Sequence, residues 1–165
     1  MSVLYCSVPH LPAVLARRDD PKLEADPLVL IGPEGRVFDV SSEAAACGVV
    51  GGMTPRAAEV RCPEARLLEA DVTRCRQEVE VLLQVLEGSS PKVEPHGWGA
   101  AYVDLGDLVT HDEGAYSDAR TPDRIPSDAI GLCRKIGQAV RQELGVDLQP
   151  ALGWNSNKFT AQAAT

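Results

Sequence analysis

Two stretches of this chain repeat apolar residues at helical spacing, and short runs of strand character stand before, between and after them. In the first, Val72, Cys75, Val79, Leu82, Leu83 and Leu86 mark one face, and Gly88 stops the run. Val81 and Val85 widen that face, which predicts a helix buried on more than half its girth. In the second, Ile130, Cys133, Gly137, Val140 and Leu144 share a face between a cap at Ser127 or Asp128 and a stop at Gly145. Val3 to Val8, Lys92 to Pro95, Ala101 to Leu105 and Val146 to Trp154 read as strands, the middle two joined as a hairpin at Gly97 and Gly99. Strand, helix, two strands, helix, strand is the β-α-β-β-α-β pattern of ferredoxin-like folds, so the expected class is α+β. Two helices then cover one face of an antiparallel sheet and leave the other free.

A further segment is inserted after the first strand. His10 to Arg18 suits a short helix that tolerates Pro12 only in its first turn, and Asp19-Asp20-Pro21 breaks it. Pro27 to Ile31 and Arg36 to Val40 form a hairpin around Gly32-Pro33-Glu34-Gly35. Ser41 or Ser42 caps a helix through Ala46 that ends at Gly48, and Thr54 with Pro55 opens another through Val60. The stretch from Asp107 to Asp123 is acidic and poor in apolar residues, and reads as a solvated loop. Asn157 begins a last helix.

At 165 residues the chain fits one domain with a small insertion. Sixteen Lys and Arg against 24 Asp and Glu leave a net charge of −8, which opposes a free-standing nucleic-acid binder but not a fragment whose basic parts lie elsewhere. No apolar run has the length of a membrane span, and the N-terminus lacks an export signal, so no membrane partner is expected. The cysteines Cys6, Cys47, Cys62, Cys75 and Cys133 are odd in number and scattered, which points to reduced thiols and a cytoplasmic setting; Cys75 and Cys133 fit core positions. His10, His96 and His111 have no spacing that joins them, so no metal site is expected. Ser7 and His10, with Pro9 between, are poor geometry for a nucleophile and its base.

Several motifs then stand in a telling order. They are Arg18-Asp19-Asp20-Pro21-Lys22-Leu23 with Pro27-Leu28-Val29-Leu30, Val40 to Val49, Gly51-Gly52-Met53-Thr54, Arg61-Cys62-Pro63-Glu64-Ala65, Ser89 to Pro95, and Gly153 to Lys158. Together they resemble, in order and spacing, the N-terminal region of Y-family (UmuC/DinB-like) translesion DNA polymerases. The resemblance implies a palm from residues 1–34 and 65–165, a fingers insertion at 35–64, and a thumb and little finger beyond Thr165. It also implies that the chain is a fragment of a longer protein, since Thr165 falls inside a predicted helix.

The resemblance makes an absence visible. Y-family enzymes hold two magnesium ions on carboxylates, which stabilise the attacking and leaving oxygens of phosphoryl displacement. The Asp-x-Asp of their first strand falls here on Ser7 and Pro9, and the acids of their Asp-Glu-Ala-Tyr hairpin on Gly99 and Ala100. The nucleotide pocket is eroded too. Its tyrosine and arginine fall on Ser42 and Ala45, its steric gate on Pro12, and a later lysine on Gln162, while Asn157 and Lys158 remain. Each lost oxyanion partner costs catalysis about 3 kcal/mol. No cofactor is therefore expected, in contrast to the magnesium of active relatives. Gly52, Met53, Arg56 and Arg61, with Arg66 beside them, are the residues that would face DNA.

This pattern is most similar to the ImuB-type subunit of the bacterial inducible mutasome. It implies a non-catalytic adaptor in DNA damage tolerance, with DNA contacted through the full-length protein. The implied partners are the sliding clamp, an error-prone replicative-type polymerase and an accessory mutasome subunit. Two alternatives stand beside it: a divergent active polymerase using Asp39, Glu43 or Asp104, and a ferredoxin-like interaction domain with no DNA role.

Overall fold

The computed structural model describes residues 3–90, 92–106, 127–147 and 149–153. Strand β1 (Val3–Ser7) is buried along its whole length because it lies inside a sheet. It pairs antiparallel with β6 (Ala100–Asp104) on one side and β7 (Gln149–Gly153) on the other. Strand β5 (Val93–Pro95) pairs with β6, so the order is β5-β6-β1-β7, all antiparallel. That is the ferredoxin-like arrangement expected from the sequence.

Alternation in β1 divides the sheet's two faces. Leu4 and Cys6, with Val8 just beyond the strand, join Cys75, Leu82 and Leu86 of α4 (Val72–Glu87) and Ile136, Val140 and Leu144 of α5 (Ser127–Leu144) in the main core. Val3 and Tyr5 join Ala100 and Tyr102 on the opposite face. The predicted stripe of α5 is rotated. Ile130 is 46% exposed, whereas Ala129, one residue earlier, is fully buried and aligns with Ile136 and Val140. Periodicity favours the bulky apolar residue for the core, whereas the packed face of α5 runs through the small one, in line with Ile136 and Val140.

A second sheet holds β3 (Val37–Val40), β2 (Leu28–Ile31) and β4 (Arg66–Glu69) in the order β3-β2-β4. The β2–β3 hairpin is antiparallel as expected, but β4 pairs parallel to β2 and has no counterpart in the sequence reading. Arg-Leu-Leu-Glu shows no alternation; its extended form rests on tertiary pairing, with the Arg66 amide donating to the Pro27 carbonyl and the Ala70 amide to Ile31. This sheet thus draws on residues either side of the expected 35–64 insertion. Its own small core joins Val29, Val37, Val40, Ala44, Val49, Ala58 and Cys62.

The short helices are capped in different ways. Thr54 caps α3 (Pro55–Arg61) by accepting from the Ala57 amide at 3.2 Å. Ser41 precedes α2 (Ser42–Ala46) but makes no side-chain cap; its hydroxyl instead accepts from the Leu28 amide at 2.9 Å and ties the helix to β2. Helix α1 (Leu11–Asp19) starts after His10, whose φ of 54° is left-handed, and is capped from another element. The Asp39 carboxylate of β3 accepts from the Ala13 amide at 3.1 Å. At its other end Arg18 donates to Glu78 of α4 at 2.7 Å and to the last carbonyl of α5, Leu144, at 2.6 Å. Among the described residues, no helix is long and apolar enough to cross a membrane.

Candidate functional site

The four positions singled out at the sheet's end come together. Ser7 lies directly opposite Ala100 across the β1–β6 pair, and the Val8 amide donates to the Gly99 carbonyl at 2.8 Å. Pro9 follows, exposed, and the chain turns through His10 into α1. Ser7 and Ala100 are each 8% exposed and share the sheet face away from α4 and α5. None of the four side chains carries a charge.

Gly99 is closed by packing as well as by residue type. Its φ is +90°, and a Cβ built there would lie 2.6 Å from the Leu11 Cβ and 3.0 Å from the Val8 carbonyl oxygen. A side chain longer than hydrogen therefore strains the backbone and collides with α1 at once. The turn is braced from outside, where Trp98 stacks edge-on against Phe38 of β3 with centroids 5.0 Å apart. Sequence reasoning missed both Leu11 and this ring pair, since no local pattern brings residues 11, 38 and 98 together.

Beside this strand end lies a cleft of about 380 Å³ lined by Pro9, His10, Arg17, Ser42, Asp147 and Gln149, among others. Of the expected pocket remnants among the described residues, only Ser42 reaches it. Pro12 is buried in the first turn of α1, and Ala45 packs against the core of the second sheet. Asn157, Lys158, Gln162 and the acidic stretch 107–123 lie outside the described residues. The cleft's arginine is already engaged. Arg17 forms two bonds to the Glu43 carboxylate, at 2.9 and 3.2 Å, and donates to the Leu23 and Asp26 carbonyls. That pairing, with a hydrogen bond from Ser41, pulls the Glu43 carboxyl down to about 2. Asp147 is paired with Arg141.

The three acids considered as substitutes are dispersed. Asp39 caps α1 and lies 3.6 Å from the His10 Nδ1; burial pushes its carboxyl up against the opposing pull of the Ala13 and Val40 amides and His10. Glu43 belongs to Arg17. Asp104 is the partner of Val3, at the far end of β6 from Ala100. Four residues of strand separate them by roughly 13 Å. Asp104 accepts from the Gly106 amide at 2.9 Å and from Lys92 at 3.4 Å. Among the described residues no three His, Cys, Asp or Glu side chains converge as metal ligands do.

The expected DNA-facing residues all belong to the second-sheet region. Gly52 and Met53 extend the edge of β3, the Gly52 amide donating to the Val37 carbonyl at 2.7 Å and the Val37 amide to Met53 at 2.9 Å. Arg56 is exposed, Arg61 donates to the Gly48 carbonyl at 2.7 Å, and Arg66 pairs with Asp26 at 2.7 Å.

Comparison with known proteins adds to this geometry. Residues 6–165 match the impB/mucB/samB family. DNA polymerase IV of Ralstonia nicotianae is 29% identical over 166 residues, covering 99% of this chain and 42% of that protein. DNA polymerase IV of Staphylococcus aureus is 25% identical over 168 residues, covering 99% of this chain and 46% of that protein. The crystal structure of DinB from Sulfolobus solfataricus superposes with a TM-score of 0.79 at 20% identity, over all of this chain and 46% of that one. An insertion ternary complex of Dbh DNA polymerase gives a TM-score of 0.77, again at 20% identity, 100% of this chain and 46% of that one. At such identity the superpositions establish a shared fold. The chain spans less than half the length of the relatives it matches.

Proposed function

The chain belongs to the impB/mucB/samB family of Y-family DNA polymerase relatives, and we propose that within it this protein acts as a non-catalytic, ImuB-like adaptor in DNA damage tolerance. The observation that supports this reading is the strand end itself: Ser7, Pro9, Gly99 and Ala100 meet there without a carboxylate, at the positions to which the family resemblance assigns the metal-holding acids. Magnesium demands hard oxygen ligands in near-octahedral order, and an uncharged hydroxyl with backbone carbonyls is a poor set for it. The packing of Leu11 against Gly99 supports the same reading, since a carboxylate there has no room.

The relatives' name, DNA polymerase IV, favours the other reading, a divergent active enzyme. Against it, Asp39, Glu43 and Asp104 are each engaged with a different partner and point to no common centre. As an adaptor the full-length protein contacts DNA and bridges the sliding clamp, an error-prone replicative-type polymerase and an accessory mutasome subunit.

Primer extension by the full-length protein, with magnesium or manganese, tests the reading. The expected result is no nucleotide added. Extension that disappears when Asp39, Glu43 or Asp104 is replaced by its amide would overturn it and establish the divergent enzyme.

A further inference from the structure

Helices α2 and α3 end side by side, and each ends on a cysteine. Cys47 is the residue after α2, and Cys62 the residue after α3. Their neighbours are joined, because Arg61 donates to the Gly48 carbonyl at 2.7 Å. Cys62 also packs in the cluster that holds Ala44 and Val49, the residues flanking Cys47 in the chain. The two cysteines differ in environment: Cys47 is exposed, whereas Cys62 is 3% exposed within the small core of Val49, Ala44 and Ala58. Cys6 and Cys75 are also buried but belong to the main core, on other elements.

An exposed thiol beside a buried one is the arrangement of an attacking and a resolving cysteine. We propose that Cys47 and Cys62 are a redox modification site, which hydrogen peroxide converts to an intramolecular disulfide. The Cys47 thiolate attacks one peroxide oxygen, the O–O bond breaks, and a sulfenic acid and one water are formed. The Cys62 sulfur then attacks Cys47, the S–O bond breaks, the S–S bond forms, and a second water leaves with the Cys62 proton. Two thiols are oxidised by two electrons and one peroxide is reduced to two waters. Burial and the Cys47 sulfur raise the Cys62 thiol.

The bond would tie the ends of α2 and α3 together and close the loop that holds Gly52, Met53 and Arg56. This does not depend on whether the protein is a polymerase or an adaptor.

The test treats the folded chain with hydrogen peroxide and maps its tryptic peptides without reduction. The expected product joins Val37–Arg56 to Cys62–Arg66, with a mass lower by two hydrogen atoms than the separate peptides, and dithiothreitol reverses it. Cys47→Ser leaves the exposed sulfur's position polar and should fold normally; it and Cys62→Ser should each abolish the product, while Cys75→Ser and Cys133→Ser keep it. A native protein that gives sulfinic acid at Cys47, a Cys47 link between two chains, no linked peptide, or the same scrambled links as the denatured chain would overturn the proposal.

Discussion

At Gly99 a single hydrogen atom separates the observed packing from a clash. Positive φ costs a non-glycine residue about 1–2 kcal/mol, and forcing atoms into a packed site adds about 1–3 kcal/mol. Gly99→Asp should therefore lower stability by about 2–5 kcal/mol in denaturant unfolding, before any price for burying the new charge. The same variant should show no heat of manganese binding in calorimetric titration, because Ser7, Pro9 and Ala100 still offer no second carboxylate. A folded Gly99→Asp protein that titrates with manganese would mean the site is merely unoccupied by acids and not rebuilt. Leu11 is the residue that makes the difference, and it does so from the first turn of a helix whose own start depends on Asp39.

Helix α1 is the element on which the others are hung. Asp39 holds its first turn to the second sheet; from its last turn Arg17 binds Glu43 of α2, and Arg18 reaches Glu78 of α4 and the C-terminal carbonyl of α5. A cation at a helix C-terminus meets the negative end of the helix dipole as well as an unpaired carbonyl. The Arg18 side chain is 24% exposed and Glu78 18%, so these bonds are only partly screened. Arg18→Ala should cost about 2–3 kcal/mol, typical for hydrogen bonds to a charged group. Hydrogen exchange should quicken in the last turn of α5 and little elsewhere. Arg18→Lys should recover only part of the loss, since one ammonium cannot reproduce the planar fork that reaches both partners. Equal protection of α5 in all three proteins would remove Arg18 from this role.

For the whole molecule, charge is the property that matters most. With 24 acidic against 16 basic side chains the net charge opposes binding to phosphates, and among the described residues Arg17, Arg18 and Arg66 are each paired with a carboxylate. Yet it shares its fold with Dbh DNA polymerase as solved in an insertion ternary complex. These two facts are reconciled if the basic contacts lie in the part of the full-length protein outside this region. The expected outcome is that the full-length protein binds primer–template DNA with an affinity that falls steeply with salt, roughly in proportion to the number of phosphates neutralised. The 165-residue chain alone should bind far more weakly at the same ionic strength. Fluorescence anisotropy across a salt series measures both. Full-length protein with no salt-dependent DNA binding would favour an interaction domain without a DNA role.

Much of this was legible in the sequence because it is local. Periodicity placed α4 and the strands of the main sheet, glycine and proline placed the turns, and ordered motifs carried the resemblance to Y-family polymerases. That Ser7, Pro9, Gly99 and Ala100 are uncharged is likewise visible in the sequence before any fold, and the resemblance is what assigns acids to those positions. What only the tertiary structure decided depends on residues far apart in the chain. Strand β4 exists because β2 supplies its hydrogen bonds, α5 buries Ala129 instead of Ile130 because of what it packs against, and α1 is capped by a carboxylate 26 residues away. The closure of Gly99 by Leu11, and the meeting of Cys47 with Cys62, belong to the same class. Backbone preference acts between neighbours in sequence, whereas contact and exclusion act between neighbours in space, and the second set is fixed only once the chain has folded.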